Sequence, residues 1–181
     1  MFQEKVKNLR ENFGSPLLFA IQYARMGLPV LPIYSLNSSS RCACGKVTCE
    51  APGKHPISEL VPNGLNNSST DLDQIEEWFT KIPNANIAIR TGVVSNLTVI
   101  DFDLKSNGLE TYKQHFEKNP IFSRVLKASS GGGGFHCFFK YNSSLKSKNS
   151  ILTGVDCKND GGYIIVEPSV HVSGGKYLWR I

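Results

Sequence analysis

The segment Leu97-Thr98-Val99-Ile100 runs into Asp101-Phe102-Asp103. Alternation along a strand puts both carboxylates on one face at its end. Two anions that close repel each other unless a divalent cation lies between them, and hard oxygen ligands suit Mg²⁺ or Mn²⁺. A solvated turn is the plainer reading of Asp-x-Asp, so a third acid is required. Asp156 is the candidate, because it follows Thr153-Gly154-Val155 and precedes an apolar strand, 163–166, expected to lie beside the first pair. Three carboxylates can hold two ions, one activating an attacking hydroxyl and the other neutralising a triphosphate and its leaving pyrophosphate. Asp160, within Asn159-Asp160-Gly161-Gly162, has the composition of a tight turn and takes a structural role.

Between these acids lie Ser129, Ser130, Gly131, Gly132, Gly133, Gly134, Phe135 and His136. Four glycines free the backbone to turn its amides toward an anion such as a triphosphate, and flexible hairpin glycines are the alternative. The His136 imidazole is placed to donate to the same phosphates, and Lys158 adds a cation two residues past Asp156. Arg90, Thr91 and Gly92 close a strand near the acidic one and are candidates for sugar or phosphate contact, equally well explained as a turn. Lys54 and His171 are further candidates of the same kind.

A second constellation is Cys42-x-Cys44, Cys49 and His55. Three thiolates and an imidazole complete a tetrahedral zinc shell with no open position, which is a structural site. Free thiols are the alternative, against which the close spacing speaks. Cys137 and Cys157 sit in strand-like surroundings and read as core residues.

Positioning these groups requires a scaffold. Apolar residues Val6, Leu9, Phe13, Leu17, Phe19, Ala20, Tyr23 and Ala24 recur at helical spacing, broken at Gly14-Ser15-Pro16. Two helices, or one broken helix, are predicted, with Ser15 and Pro16 opening the second and Gly27 closing it. A buried strand follows over 30–34, and 36–65 is a long aperiodic loop that a metal would order. Ser69-Thr70-Asp71 caps a helix through Phe79 with an apolar face of Leu72, Ile75, Trp78 and Phe79. Strands are predicted over 86–90 and 97–102 as a pair joined by a turn, then a helix over 108–118, then strands over 124–128, 135–141, 162–167 and 176–180. Helices first and strands after indicate an α+β domain with a mixed, largely antiparallel sheet flanked by helices.

The chain has 181 residues, 40% of them hydrophobic, which suffices for one domain over 1–181 with a zinc-binding loop insert at about 37–65. A formal charge of +5 is compatible with a polyanionic partner. Five cysteines, three of them clustered, argue against a secreted disulfide framework. The apolar runs are too short to cross a bilayer and no signal segment opens the chain, so a cytoplasmic protein without membrane contact is expected.

Taken in order, these segments resemble the amino-terminal catalytic domain of bifunctional DNA primase-polymerases, in the archaeo-eukaryotic primase superfamily. The resemblance covers nearly the whole chain: Ala20-x-x-Tyr23-Ala24-x-x-Gly27, Gly53-Lys54-His55-Pro56, the helix from Thr70 to Trp78, and Asn86 to Gly92. It continues through Asp101-Phe102-Asp103, Ser130 to His136, Gly154-Val155-Asp156, Gly161-Gly162-Tyr163 and Pro168-Ser169-x-His171. The resemblance implies an RRM-like catalytic core, with Asp101 and Asp103 as the two-carboxylate motif, Ser130 and His136 as the phosphate-contacting motif, and Asp156 as the third acid. The glycine loop is longer than the family's Ser-Gly-Gly-x-His form, and Lys158 stands where many relatives have arginine. Implied partners are a DNA template and primer, dNTP or NTP, and a helicase-like region that follows in relatives. The expected activity is template-directed nucleotidyl transfer to a primer 3′-hydroxyl or an initiating nucleotide, in replication of a mobile element or related DNA synthesis.

Two other classes compete. A two-metal nuclease would use the same acids on water, but has little need of a triphosphate cradle. A non-catalytic, zinc-stabilised module would bind nucleic acid without nucleotide dependence.

Overall fold

The computed structural model describes residues 2–7 and 14–180. Of the first periodic segment, Leu9 and Phe13 lie outside the described residues. Helix α1 spans Phe2–Lys7 and α2 spans Pro16–Arg25, so two helices flank the expected break. Pro16 opens α2 because its locked φ suits the first helical position. Ser15 is extended there but contributes no side-chain cap. Helix α3, Leu72–Lys81, is capped by the Asp71 carboxylate, which accepts from the amides of Asp73 and Gln74, and buries Ile75, Trp78 and Phe79.

The strands form two antiparallel sheets rather than one. Strands β1 (Val30–Ile33), β2 (Asn86–Arg90) and β8 (Tyr163–Val166) make a three-stranded sheet in the order β1-β2-β8. The second sheet contains β3 (Leu97–Phe102), β4 (Leu126–Ser129), β5 (Phe135–Lys140), β6 (Lys148–Leu152), β7 (Val155–Lys158) and β9 (Leu178–Arg180). Its order is β6-β7-β3-β5-β4-β9. Two expectations are corrected by this topology. β2 and β3 are consecutive but belong to different sheets, the turn between them closed by the Gly92–Leu97 bridge. The strand expected beside the acidic pair, β8, pairs with β2 instead, and β3 lies between β5 and β7, on the latter of which Asp156 itself stands. The predicted helix over 108–118 is α4, Gly108–His115, and a further short helix not predicted from the sequence, α5, Pro120–Arg124, follows it, with Pro120 at its first position and Asn119 as its cap.

The six-stranded sheet is covered on both faces. Ile100, Phe102, Phe135, Cys137, Val155 and Cys157 point to one side and pack with Phe122 beneath α4 and α5. Val99, Leu126, Ala128, Phe138 and Trp179 point to the other, into a larger core shared with α2, α3 and the three-stranded sheet. A buried polar clamp closes this core. The Tyr23 hydroxyl donates to the Glu167 carbonyl at 2.7 Å and accepts from Trp179 Nε1 at 2.8 Å, while the Trp179 amide donates to Glu167 Oε2 at 2.8 Å. Glu167 thereby ties the end of β8 to β9 and α2.

Candidate active site and metal centre

The core-forming face of the large sheet changes character at one end. Continuing the alternation past Val99 brings up Asp101, continuing past Phe138 toward the start of β5 brings up His136, and β7 contributes Asp156 and Lys158. Register fixes their order: Asp101 is the direct partner of Asp156 on β7 and of His136 on β5. Gly154, at φ +67°, makes the tight turn that lets β7 return from β6, and its carbonyl accepts from the Asp103 amide at 2.8 Å. Asp101, Asp103, His136, Asp156 and Lys158 line a cavity of about 560 Å³ between the two sheets, with Tyr163, Ile164 and Ile165 of β8 opposite.

Each carboxylate is oriented by a neighbour. Asp101 Oδ1 lies 3.4 Å from His136 Nε2. Asp103 Oδ1 accepts from the amides of Lys105 and Ser106 at 2.8 and 3.3 Å. Asp156 is the most engaged, its Oδ1 accepting from the Ser150 amide at 2.8 Å and its Oδ2 from Lys158 Nζ at 2.9 Å. Lys158 also donates to Asn149 Oδ1 at 2.7 Å. Oδ2 of Asp101 and of Asp103 accept no hydrogen bond among the described residues, so two hard oxygens face the cavity and a third is held by an ammonium. This donor set fits Mg²⁺ or Mn²⁺.

His136 is 2% exposed. Burial lowers its pKa below the ordinary imidazole value, against the Asp101 charge that raises it. A neutral ring with Nε2–H toward Asp101 leaves Nδ1 bare, and that atom is buried without a partner. Tyr177, whose ring centroid is 6.0 Å from that of His136, also lines the cavity. Burial, then the charges of Asp101 and Asp103, push its pKa up, so it stays a phenol.

Other candidates lie elsewhere. The glycine segment forms a closed turn in which the Ser130 amide donates to the Gly134 carbonyl and the Gly133 amide to the Ser130 carbonyl. Gly134 is forced by packing, because a Cβ there would strike the Phe102 carbonyl. The turn Gly131–Gly134 and Ser130 are outside the cavity lining, as are Arg90, Thr91, Gly92 and His171. Ser129 points to the opposite face of the sheet, where its Oγ accepts from Arg180 Nε at 2.8 Å. Thr91 Oγ1 donates to the Asn159 carbonyl at 2.7 Å, and Gly92 packs against Asp160. Arg90 reaches the Leu65 carbonyl through Nη1 at 3.5 Å while its Nε is buried without a partner. His171 packs over Gly131, with Nδ1 held by Ser173 at 2.9 Å. Lys54 and Tyr177, by contrast, reach the cavity although nothing in local sequence marks Tyr177; its place follows only from the pairing of its neighbours on β9.

The loop between β1 and α3 gathers the ligand atoms of Cys42, Cys44, Cys49 and His55 within 4.8 Å of one another. His55 Nε2 is 3.4 Å from the sulfurs of both Cys42 and Cys49. A zinc ion bound at about 2.3 Å from sulfur and about 2.0 Å from nitrogen sets such ligands roughly 3.5 Å apart at the tetrahedral angle. The cluster therefore can hold zinc as it stands. Burial would raise the Cys42 thiol, but hydrogen bonds from the backbone at Cys44 and Gly53, and from the side chains of Cys44 and His55, bring it to about 7. That favours the thiolate a metal needs. Among the described residues this is the one set of three or more such ligand atoms so close together; the three aspartates are not drawn into a comparable cage.

No helix among the described residues is long and apolar enough to cross a membrane. Residues 20–181 match the family described as "Bifunctional DNA primase/polymerase, N-terminal". No curated protein matches the chain.

Proposed function

The chain belongs to the bifunctional DNA primase/polymerase N-terminal family, and from that premise we propose that it joins nucleotides on a DNA template, with Asp101, Asp103 and Asp156 as the catalytic carboxylates. The observation carrying the reading is the Asp101–Asp156 register, with Asp103 two residues on, in one cavity large enough for a nucleotide. Two bound Mg²⁺ or Mn²⁺ would supply activation of the primer 3′-hydroxyl and neutralisation of the triphosphate.

The protein's own groups divide the remaining work. Asp101 and Asp103 would hold the ions through their open oxygens, with Asp156 as the third ligand once Lys158, which donates to its Oδ2 here, turned to a phosphate. His136, held neutral by burial, orients Asp101 through Nε2. In this reading the glycine turn serves chiefly to bring β4 back to β5 so that His136 meets Asp101, and residues 1–181 act as one catalytic domain with zinc ordering the loop at about 37–65. Family membership supports nucleic acid and nucleotide substrates, which in this reading are a DNA template with its primer and a nucleoside triphosphate.

Primer extension on a DNA template with Mg²⁺ or Mn²⁺, with dNTPs and NTPs separately, tests the proposal. Extension by the natural chain and none by Asp101→Ala, with the fold retained by circular dichroism, is expected. Extension retained by that variant rejects the mechanism.

A further inference from the structure

Two lysines other than Lys158 line the cavity, and they differ in kind. Lys148 stands on β6, an edge strand exposed along its whole length, where water solvates its charge. Lys54 is half-buried, on the metal loop, and its Nζ has no hydrogen bond or ion pair among the described residues. An ammonium without a protein partner can meet an anionic ligand without giving up a contact. Lys158, already committed to Asp156 and Asn149, cannot serve a phosphate without giving up contacts. The Lys54 charge is close enough to oppose protonation of both His136 and His171.

The backbone around Lys54 is fastened at consecutive points to the three-stranded sheet. Asn86 Nδ2 donates to the Gly53 carbonyl at 3.0 Å, the Tyr163 hydroxyl to the Lys54 carbonyl at 2.9 Å, and the Tyr34 amide to the His55 carbonyl at 3.0 Å. Elsewhere the loop is held by the Leu36–Cys42 and Ile33–Pro56 bridges and by the amides of Ala43 and Ile57, which donate to the carbonyls of Ser35 and Pro32, and the side chains of Cys42, Cys44, Cys49 and His55 cluster among these ties. Lys54 reaches the cavity while the very next residue, His55, belongs to that cluster.

We propose that Lys54 is a phosphate-binding residue of the cavity, positioned by the metal centre through His55, so that occupancy of the structural site sets affinity for the triphosphate. This rests on reading the cavity as a triphosphate site. A bound zinc would fix His55 and so limit the freedom Lys54 must lose on binding, which is preorganisation. The lysine would meet the triphosphate from the side of the cavity opposite the carboxylate-bearing strands.

The test is equilibrium titration of the full chain with a fluorescent nucleoside triphosphate and, in parallel, the matching nucleoside, with bound zinc counted by a colorimetric chelator. Lys54→Ala is expected to weaken triphosphate binding roughly tenfold or more, the loss of a charge-assisted contact, while nucleoside binding and zinc content stay unchanged. Lys54→Arg should recover most of the affinity. Stripping zinc should weaken triphosphate binding by the natural chain and add little to Lys54→Ala, since the two act through one group. Unchanged triphosphate affinity in Lys54→Ala overturns the lysine's role, and full additivity of the two losses overturns positioning by the metal. A natural chain that binds no triphosphate overturns the reading of the cavity and this inference with it.

Discussion

Asp101 and Asp156 oppose each other across β3 and β7, but the first leans toward a neutral histidine and the second is bridged to a lysine. The pair thus divides into an acid open to the cavity and an acid already partnered. Asp156→Asn keeps an oxygen for the Ser150 amide while removing the charge, so the β6–β7 hairpin should remain. Primer extension is expected to fall on the order of a thousandfold, as when a metal ligand is lost, with a small change in melting temperature. Steady-state extension rates beside a thermal melt check both halves.

Lys158 competes with cations for Asp156. Replacing it with methionine keeps most of the stem's packing and removes the ammonium that occupies Oδ2. Mn²⁺ affinity, followed by electron paramagnetic resonance in the absence of nucleotide, should rise a few-fold, the scale of a partly exposed ion pair. Triphosphate affinity in the same variant should drop. Unaltered Mn²⁺ binding would mean that the lysine and the ion do not share the oxygen.

In the loop at about 37–65, Ile57, Leu60, Val61 and Leu65 pack on the core, whereas the part around Cys42, Cys44 and Cys49 has little apolar packing, so its order leans on the cysteine and histidine cluster. Cys49→Ser should release zinc and expose the loop to protease while α3 and the sheets stay protected. Loss of a structural zinc costs several kcal/mol of folding free energy. Limited proteolysis with mass mapping of the first cuts distinguishes local loosening from global unfolding: cuts spread over β3 and β5 would contradict a role confined to the loop.

Strand existence was legible where one sheet face is apolar. β3, β5 and β8 announce themselves in sequence because Val99, Phe138 and Ile165 must be buried. β6 and β7 are harder to read, because β6 is wholly exposed and β7 is only four residues long, its alternation of Val155 and Cys157 with Asp156 and Lys158 too short to stand out. The consequence for the site is that Asp156, which the sequence sets before β8, stands within β7 itself. Sheet membership was illegible for a different reason. β2 and β3 are separated by a turn that suits a hairpin, but Asp160 accepts from the Val93 amide, and Gly92 packs against Asp160, which turns the chain from one sheet into the other. The cysteine cluster is legible from spacing alone because its ligands are close in sequence, and Lys54 is a candidate from its motif, whereas Tyr177 is brought to the cavity by long-range pairing.

That crossing makes Asp160 the place to look for pH dependence. Its Oδ1 accepts from the Val93 amide at 2.9 Å and its Oδ2 from the Tyr141 hydroxyl at 2.7 Å. These bonds favour the charged form, first the Val93 amide and then the Tyr141 hydroxyl, and hold the carboxyl below its ordinary 3.8. A depressed folded-state pKa means that the unfolded chain takes up the proton first as pH falls. The stabilisation is therefore complete above about 3.8, the unfolded value, and is lost as pH drops through the lower folded one. Asp160→Asn can still accept from Val93 but has no charge to lose. Its melting temperature should lie below that of the natural chain at pH 7, and the difference should shrink as pH falls below 3.8. Melting curves of both proteins from pH 7 to pH 3 decide it. A difference that stays constant across that range would mean that the Asp160 charge does not stabilise the crossing.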